Sequence, residues 1–152
     1  MPPDALVNNA ALFTGDETAI KAINLEAPKK LTVMMAGREA GVGAVVNVLD
    51  AGVLGSGRRQ SMAADGYRKS KQALAEFTKT SAATFAATLR VNGVAPGPVM
   101  APTDVHEQAG EMLLDRRPTA DDVAAAVSYL LSAEATTGTV VPVDAGQNLL
   151  RA

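Results

Sequence analysis

Short apolar runs alternate with helical patterns along the chain, and this alternation predicts an α/β fold with a parallel sheet and helices on both faces. The run at residues 44–49 is rich in valine and nearly continuous, as is typical of a central strand covered on both sides. The run at residues 5–7 leads into two asparagines and is predicted as a buried strand that ends in a polar loop. The predicted strands are residues 5–7, 44–49, 89–94 and 139–143.

The spacing of apolar residues predicts four helices between these strands. Asp16 and Thr119 directly precede two of the helical patterns, where short polar side chains suit the N-cap. Pro28 interrupts the first pattern and predicts a kink, whereas Pro142 lies in the last apolar run and suits a strand end or edge. The predicted helices are about residues 17–36, 67–87, 104–114 and 119–131.

The composition favours a single domain over residues 1–152 and argues against several classes of function. Apolar residues make up 47% of the chain and aromatic residues only 3%, so we expect a core of alanine, valine and leucine. There is no cysteine and His106 is the only histidine, so we expect neither a disulfide nor a metal site. The net charge of −2 argues against a nucleic-acid partner. The sequence has neither a long apolar run nor a signal segment, so we expect no membrane association and a cytoplasmic location.

Tyr67 and Lys71 are the most informative pair in the sequence. Residues four apart on a helix share one face, so the ammonium is expected to lie near the phenol. A nearby positive charge favours the phenolate and is expected to lower the tyrosine pKa. A tyrosine of this kind can transfer a proton during reduction of a carbonyl or imine. Taken alone, the same spacing is also typical of a solvated helix face.

A series of short motifs in fixed order resembles the short-chain dehydrogenase/reductase family, and this chain is similar to its C-terminal part. Each motif alone is weak, but the ordered set extends over almost the whole chain. The motifs are Asn8-Asn9-Ala10, Asn24-Leu25, Val45-Val46-Asn47-Val48, Tyr67-x-x-x-Lys71, Arg90-Val91-Asn92-Gly93-Val94-Ala95-Pro96-Gly97, Asp121-Asp122-Val123-Ala124, Thr137-Gly138 and Val143-Asp144-Ala145-Gly146.

The resemblance implies a Rossmann-type, doubly wound parallel sheet that binds NADP or NAD. It implies that Tyr67 transfers the proton, that Lys71 binds the nicotinamide ribose, and that Asn24 supports a water relay. The same resemblance assigns further positions to the cofactor, beside adenosine or bordering the nicotinamide. These positions are Asn8 and Ala10 for the adenosine, and Pro96, Gly97 and Val99 for the nicotinamide.

Purely structural interpretations of the same residues stay open. Asn8 could close a turn, and Asn24 could be a helix residue bonded to backbone. Pro96-Gly97 is a turn under either interpretation, and Val99 is expected to act through its backbone.

The chain departs from the family pattern at its start. The glycine-rich turn that holds the pyrophosphate at a helix N-terminus is absent from the sequence. Gly41-x-Gly43 is no substitute, because it precedes a strand instead of opening a helix. We therefore expect a truncated domain that lacks the N-terminal half of the sheet, with an exposed strand edge and incomplete or no activity.

Asp50 stands where the family usually has its catalytic serine. An aspartate here resembles the pteridine reductase branch, in which it contacts the pterin, although it could also be a turn residue after a strand. Ser56 and Ser61 are alternatives to the missing serine. A further departure is Ala101, where many members of the family have a threonine that bonds the carboxamide; Thr103 is close but not aligned. Ala145 replaces a glycine, and we expect this change alone to matter little.

Two hypotheses about function follow. The first is an NAD(P)(H)-dependent reductase acting on a small carbonyl or imine compound, with a pterin as one possibility, in which Tyr67, Lys71, Asn24 and Asp50 are catalytic. The second is a non-catalytic remnant that packs with a full-length relative. The long helices at residues 17–36 and 67–87 often pair between subunits in the family, so a homodimer or homotetramer is expected.

Overall fold

A computed structural model describes residues 4–37, 41–54, 65–100 and 112–151. Within these residues four strands form one parallel sheet in the order β1-β2-β3-β4, which confirms the predicted α/β class. The strands are β1 (Ala5–Asn8), β2 (Gly43–Val48), β3 (Leu89–Pro96) and β4 (Val140–Val143). The helices are α1 (Glu17–Lys21), a π-helical turn (Ala22–Glu26), α2 (Ala27–Ala36), α3 (Asp65–Thr84) and α4 (Ala120–Ser132), with 3₁₀ turns at Ala51–Val53 and Gln147–Arg151.

The two central strands are buried on both faces, as the continuous valine run predicts. On one face Val45 and Val91 pack with residues of helices α2 and α3. On the other face Val46 and Val94 pack against Leu130 of helix α4. Successive side chains of a strand point to opposite faces, so a strand covered on both sides can carry apolar residues at consecutive positions.

Strand β1 lies at an edge of the sheet, and the prediction that its apolar run is buried is wrong for Ala5 and Val7, which are both exposed. Leu6 packs against the core, whereas the Val7 side chain on the opposite face is 40% exposed. Helix α4 packs on strands β2, β3 and β4. At the other edge, the exposed Pro142 in β4 confirms the prediction of an edge position.

Pro28 causes the interruption that the sequence predicts, and it takes the form of a π-helical turn. A proline has no N–H, so Pro28 cannot donate to the carbonyl of Asn24, and its ring crowds that group. Immediately before it, the N–H of Ala27 donates to the carbonyl of Ala22, five residues back. Asn24 therefore lies at the centre of a turn type that is frequent at functional sites.

The predicted helix at residues 104–114 falls mostly outside the described residues. Its last part, residues 112–114, is described and is not helical, so the prediction is wrong there. The N–H groups of Leu113 and Leu114 both donate to the carbonyl of Ala145, at 3.0 and 3.1 Å. This long-range pairing replaces the local hydrogen bonds of a helix.

Both ends of helix α4 are held by specific polar contacts. Thr119 forms the predicted N-cap, in a capping box with Asp122. At the other end the guanidinium of Arg90, on strand β3, donates to three carbonyls that the helix leaves unpaired. These are the carbonyls of Leu130, Leu131 and Ala133, at 2.9, 2.6 and 2.9 Å.

Candidate active site

The carboxyl ends of the four strands bring polar residues to one edge of the sheet. Asn8 ends strand β1, Asp50 follows β2, Pro96 ends β3 and Asp144 follows β4. Helix α3 begins near this edge and carries Tyr67 in its first turn. In open α/β sheets this edge is where ligands bind. Three of the four predicted catalytic residues, Asp50, Tyr67 and the Lys71 that follows on the same helix, meet here.

Asp50 lies between its own turn and the phenol of Tyr67. One carboxylate oxygen accepts a hydrogen bond from the N–H of Gly52 at 2.7 Å, which fixes the side chain. The other lies 3.5 Å from the Tyr67 hydroxyl, at the long limit of a hydrogen bond. The carboxylate therefore faces the phenol and, through Oδ2, keeps acceptor capacity for a further donor.

Lys71 lies beneath the Tyr67 ring and is almost fully buried, with 3% of its surface exposed. Its Nζ is 5.7 Å from the ring centroid and donates a hydrogen bond of 2.7 Å to the carbonyl of Val48. The predicted shared face of Tyr67 and Lys71 is therefore present. An ammonium has three donors, so the bond to Val48 leaves others for a ligand.

The prediction that Lys71 lowers the tyrosine pKa is wrong for this arrangement. Burial raises the pKa of Tyr67 above its ordinary value, and the charge of Asp50 and its hydrogen bond raise it further. Burial lowers the pKa of Lys71 to about 8, with Asp50 opposing the shift. The phenol faces a carboxylate, whose negative charge disfavours the phenolate, and the nearby amine does not offset this effect.

The buried amine of Lys71 predicts that the free energy of unfolding rises with pH. The folded-state pKa of Lys71 is about 8, below its ordinary value of 10.5. Between these values the unfolded chain binds more protons than the folded one, so the free energy of unfolding should rise by up to about 1.4 kcal/mol per pH unit. Urea unfolding from pH 7 to pH 9 measures the slope, because this range stays below the ordinary tyrosine pKa of 10.0, near which ionisation of Tyr67 in the unfolded chain would oppose it.

Two variants make the pH experiment specific. Lys71→Met should remove the slope, because no titrating amine is left in the buried position. Lys69→Met should keep it, because the Lys69 side chain on the same helix is 64% exposed. An equal slope in wild type and Lys71→Met would contradict the assignment.

Asn24 joins the loop after strand β1 to helix α3. Its buried side chain accepts from the N–H of Leu12 at 2.7 Å and donates to the carbonyl of Leu12 at 2.8 Å. It also donates to the hydroxyl of Ser70 at 3.1 Å, and Ser70 donates to the carbonyl of Tyr67 at 2.6 Å. These contacts agree with the backbone-bonded interpretation of Asn24, and the water relay stays a prediction.

Phe13 is a site residue that the sequence reasoning missed. Its ring meets the Tyr67 ring edge to face, with 4.9 Å between the centroids and 62° between the planes. The side chain is 57% exposed, so it presents aromatic surface beside the phenol. Its neighbour Leu12 is the residue that Asn24 holds. One of only three phenylalanines, in the polar loop after a strand end, is the signal that could have identified it.

Asn8 is bonded within the sheet and does not close a turn. It is the last residue of β1, and its side-chain N–H donates to Asn47 at 2.8 Å. Asn47 donates to the hydroxyl of Thr78 at 2.9 Å, and Thr78 donates to the carbonyl of Leu74. This chain of buried side chains ties β1 and β2 to helix α3. Cofactor contacts of Asn8 and of the exposed Ala10 stay predictions.

The turn after strand β3 requires a glycine. Gly97 lies so close to Asp144 that a Cβ at position 97 would be 2.8 Å from the Asp144 Cα. Its N–H donates to the carbonyl of Val143, and its carbonyl accepts from the N–H of Val99 at 2.9 Å. The predicted positions Pro96, Gly97 and Val99 therefore form one tight turn at the candidate edge, and their contacts with a cofactor stay predictions.

The substitution at Ala145 has a larger local effect than the sequence suggested. Ala145 has φ of 53°, in the left-handed region. A side chain in that region costs roughly 1–2 kcal/mol, whereas a glycine does not carry this penalty.

Several other residues that the sequence analysis named lie outside the described residues, namely Ser56, Ser61, Ala101, Thr103 and His106.

Within residues 4–37, 41–54, 65–100 and 112–151, no cluster of acidic or histidine side chains could hold a metal ion. Over the same part of the chain, no helix is both long and apolar enough to span a membrane.

The parallel sheet, the helices on both faces and the polar carboxyl edge define a Rossmann-like protein. The chain matches, over residues 3–148, a family model described as enoyl-(acyl carrier protein) reductase. It is 37% identical to the short-chain dehydrogenase/reductase homolog YusR of Bacillus subtilis (strain 168), over 70% of this chain and 84% of YusR. It is 36% identical to pteridine reductase 1 of Leishmania tarentolae, over 57% of this chain and 33% of that one.

Among solved structures, FolM alternative dihydrofolate reductase 1 from Brucella suis, in complex with NADP, superposes with a TM-score of 0.81 at 31% identity. The match covers 97% of this chain and 64% of the FolM chain, so this chain spans less than two thirds of that relative. The chain belongs to the short-chain dehydrogenase/reductase family, as its ordered motifs predict.

Proposed function

We propose that the protein is an NAD(P)(H)-dependent reductase of a planar, pterin-like compound, with Tyr67 as the proton donor. The observation that carries the proposal is the meeting of Tyr67 with Asp50 at the carboxyl edge of the sheet, 3.5 Å apart. Two relatives support a pterin-like substrate, since one is a pteridine reductase and the other is an alternative dihydrofolate reductase crystallised with NADP.

The residues at this edge fit a nicotinamide dinucleotide. Lys71 keeps N–H donors beyond the bond to Val48, and sugar hydroxyls are suitable acceptors for them. Pro96 and Gly97 form a tight turn at the same edge of the sheet, where a ligand can approach the backbone. When bound, the reduced dinucleotide supplies a hydride, and the remaining requirement is a proton for the atom bonded to the reduced carbon.

Tyr67 is suited to supply that proton. Its raised pKa keeps the hydroxyl protonated at neutral pH. The hydroxyl would release the proton only to a strongly basic atom, such as the oxygen or nitrogen that gains negative charge as the hydride arrives. Ser70 donates to the backbone carbonyl of Tyr67, and Asn24 donates to Ser70, so both support the first turn of helix α3, which carries the phenol.

Asp50 favours a substrate with its own N–H donors. An ionised carboxylate accepts hydrogen bonds but cannot donate one to a carbonyl, which is the role of a serine. An amino group or ring N–H, as in a pterin, satisfies the carboxylate oxygen that faces the site. The exposed ring of Phe13 beside Tyr67 offers a stacking surface for a flat heterocycle.

Replacing Asp50 with serine tests the substrate class. In an assay of NADPH oxidation, Asp50→Ser should lower kcat/KM for a dihydropterin by about tenfold to a hundredfold, because a charged hydrogen-bond partner is lost. Reduction of an aromatic aldehyde should be unchanged or faster, because serine can donate to the carbonyl oxygen. Asp65→Ser, a change at an exposed aspartate of helix α3, should alter neither rate.

The outcomes separate the chemistry from the substrate. No dihydropterin-dependent NADPH oxidation by the wild-type protein would overturn the proposed function. Equal effects of Asp50→Ser on dihydropterin and aldehyde would refute the pterin-like substrate and leave the reductase chemistry standing.

Self-association through the long helices is part of the same proposal. Apolar side chains on the first helical segment are exposed, which supports packing against a second copy. These residues are Ile23, Leu31, Val33 and Met34.

A further inference from the structure

Gln147 is a buried polar residue that the mechanism above leaves unused. Its side chain is 5% exposed, and among the described residues its amide nitrogen has no hydrogen-bond partner. A buried donor without an acceptor is unfavourable, and most buried polar groups in proteins are paired. An apolar side chain of similar size would avoid this penalty, so the amide needs an explanation.

The position of Gln147 relates it to the candidate active site. It begins the 3₁₀ turn Gln147–Arg151, which follows strand β4 at the carboxyl edge of the sheet. Asp144 fixes this turn, because its carboxylate accepts from the N–H groups of Gly146 and Asn148 at 3.0 and 2.7 Å. The backbone of Asp144 in turn packs against Gly97.

The same 3₁₀ turn also packs against the turn Ala51–Val53. That second turn begins at Asp50, whose carboxylate caps it. Gln147 is therefore linked to the candidate edge in two ways. It follows Asp144, which contacts Gly97, and its own 3₁₀ turn contacts the turn Ala51–Val53, which Asp50 caps. Both neighbours belong to the edge where the substrate is proposed to bind.

We propose that Gln147 is a specificity-determining residue whose amide nitrogen donates a hydrogen bond to a carbonyl-type acceptor of the substrate. The inference rests on the proposed function. Asp50 accepts and Gln147 donates, so together they favour a heterocycle that presents both a donor and an acceptor, as a cyclic amide beside an amino group does. A substrate without the acceptor leaves the Gln147 amide unpaired and binds less well.

The experiment compares Gln147→Met with the wild-type protein in NADPH oxidation with dihydropterin. Methionine keeps the volume and removes the donor. We expect KM for dihydropterin to rise at least tenfold with kcat changed less than about threefold, because the lost contact is made equally in the ground and transition states. The Tm of the free protein should stay the same or rise, because an unpaired buried donor has been removed.

Thr32→Val is the matched control. Thr32 is fully buried on helix α2, and its hydroxyl is likewise unpaired among the described residues, but it does not belong to the turns at the candidate edge. Its replacement should leave KM and kcat unchanged. A purely structural origin of the unpaired groups predicts the same behaviour for both variants.

A pair of ligands tests the acceptor directly. In diaminopteridine an amino group replaces the ring carbonyl of pterin. Gln147→Met should weaken binding of dihydropterin by at least tenfold and leave binding of diaminopteridine within about twofold, as measured by calorimetry with NADP present. An equal loss for both ligands would refute the role of the acceptor.

The outcomes distinguish this inference from the proposed function. Wild-type protein that oxidises NADPH with dihydropterin, together with an unchanged KM in Gln147→Met, overturns the inference alone. Wild-type protein without this activity overturns the proposed function and the inference with it. Loss of the fold in Gln147→Met also overturns the inference, because it shows that the amide is needed within the protein.

Discussion

Replacing Tyr67 with phenylalanine is expected to lower kcat for NADPH-dependent reduction by about a thousandfold. The substitution removes only the hydroxyl, which faces the Asp50 carboxylate at this edge. General acid catalysis by a positioned side chain contributes about 10² to 10⁴ to a rate, so its loss should appear in kcat. The rate of NADPH oxidation at saturating substrate measures the effect.

The variant should otherwise behave as the wild-type protein. The phenol contact with Asp50 is long, so its loss should change the free energy of unfolding by less than about 0.5 kcal/mol. Tyr129→Phe is the matched control, since Tyr129 is the only other tyrosine and is 58% exposed on helix α4. A Tyr67→Phe protein that retains more than a tenth of the wild-type rate would show that the proton comes from elsewhere.

Replacing Arg90 with alanine is expected to lower the free energy of unfolding by about 3 kcal/mol or more. The guanidinium donates to the carbonyls of Leu130, Leu131 and Ala133 at the end of helix α4. Hydrogen bonds to charged groups are worth about 1.5–3 kcal/mol each, and their loss removes the side-chain donor from the end of helix α4, although the carbonyl of Ala133 still accepts from the N–H of Thr136. Urea unfolding at constant pH measures the difference.

Two controls separate this role from a simple loss of charge. Arg90→Lys should recover only part of the stability, because a compact ammonium cannot reach several carbonyls from one rigid plane. Arg68→Ala should change stability by less than about 0.5 kcal/mol, since Arg68 pairs with Asp65 on the surface and its side chain is 43% exposed. Equal stabilities of Arg90→Ala and wild type would show that helix α4 is held by its apolar face alone.

The sequence predicted most of the architecture because the relevant signals are local. A continuous valine run predicted strand β2, and Thr119 predicted the start of helix α4. Pro28 predicted an interruption, but its form as a π-helical turn depends on hydrogen bonds that one proline does not specify. The run that became β1 was predicted as buried, and its exposure depends on where helix α4 packs, which the run itself does not encode.

The candidate site was predicted less completely than the fold. Four-residue spacing correctly placed Tyr67 and Lys71 on one face of a helix. The direction of the tyrosine pKa was wrong, because burial and Asp50 outweigh the amine. Phe13 was missed, since its contact with Tyr67 joins residues more than fifty positions apart.

By itself the sequence determined the alternation of strands and helices, the helix caps and the family, since periodicity and motif order are properties of the chain read along its length. Only the tertiary structure decided which strand is exposed, which charges face the phenol of Tyr67 and that the amide of Gln147 is buried without a partner among the described residues. The physical reason is that desolvation and hydrogen bonding depend on groups that folding brings together from distant parts of the chain.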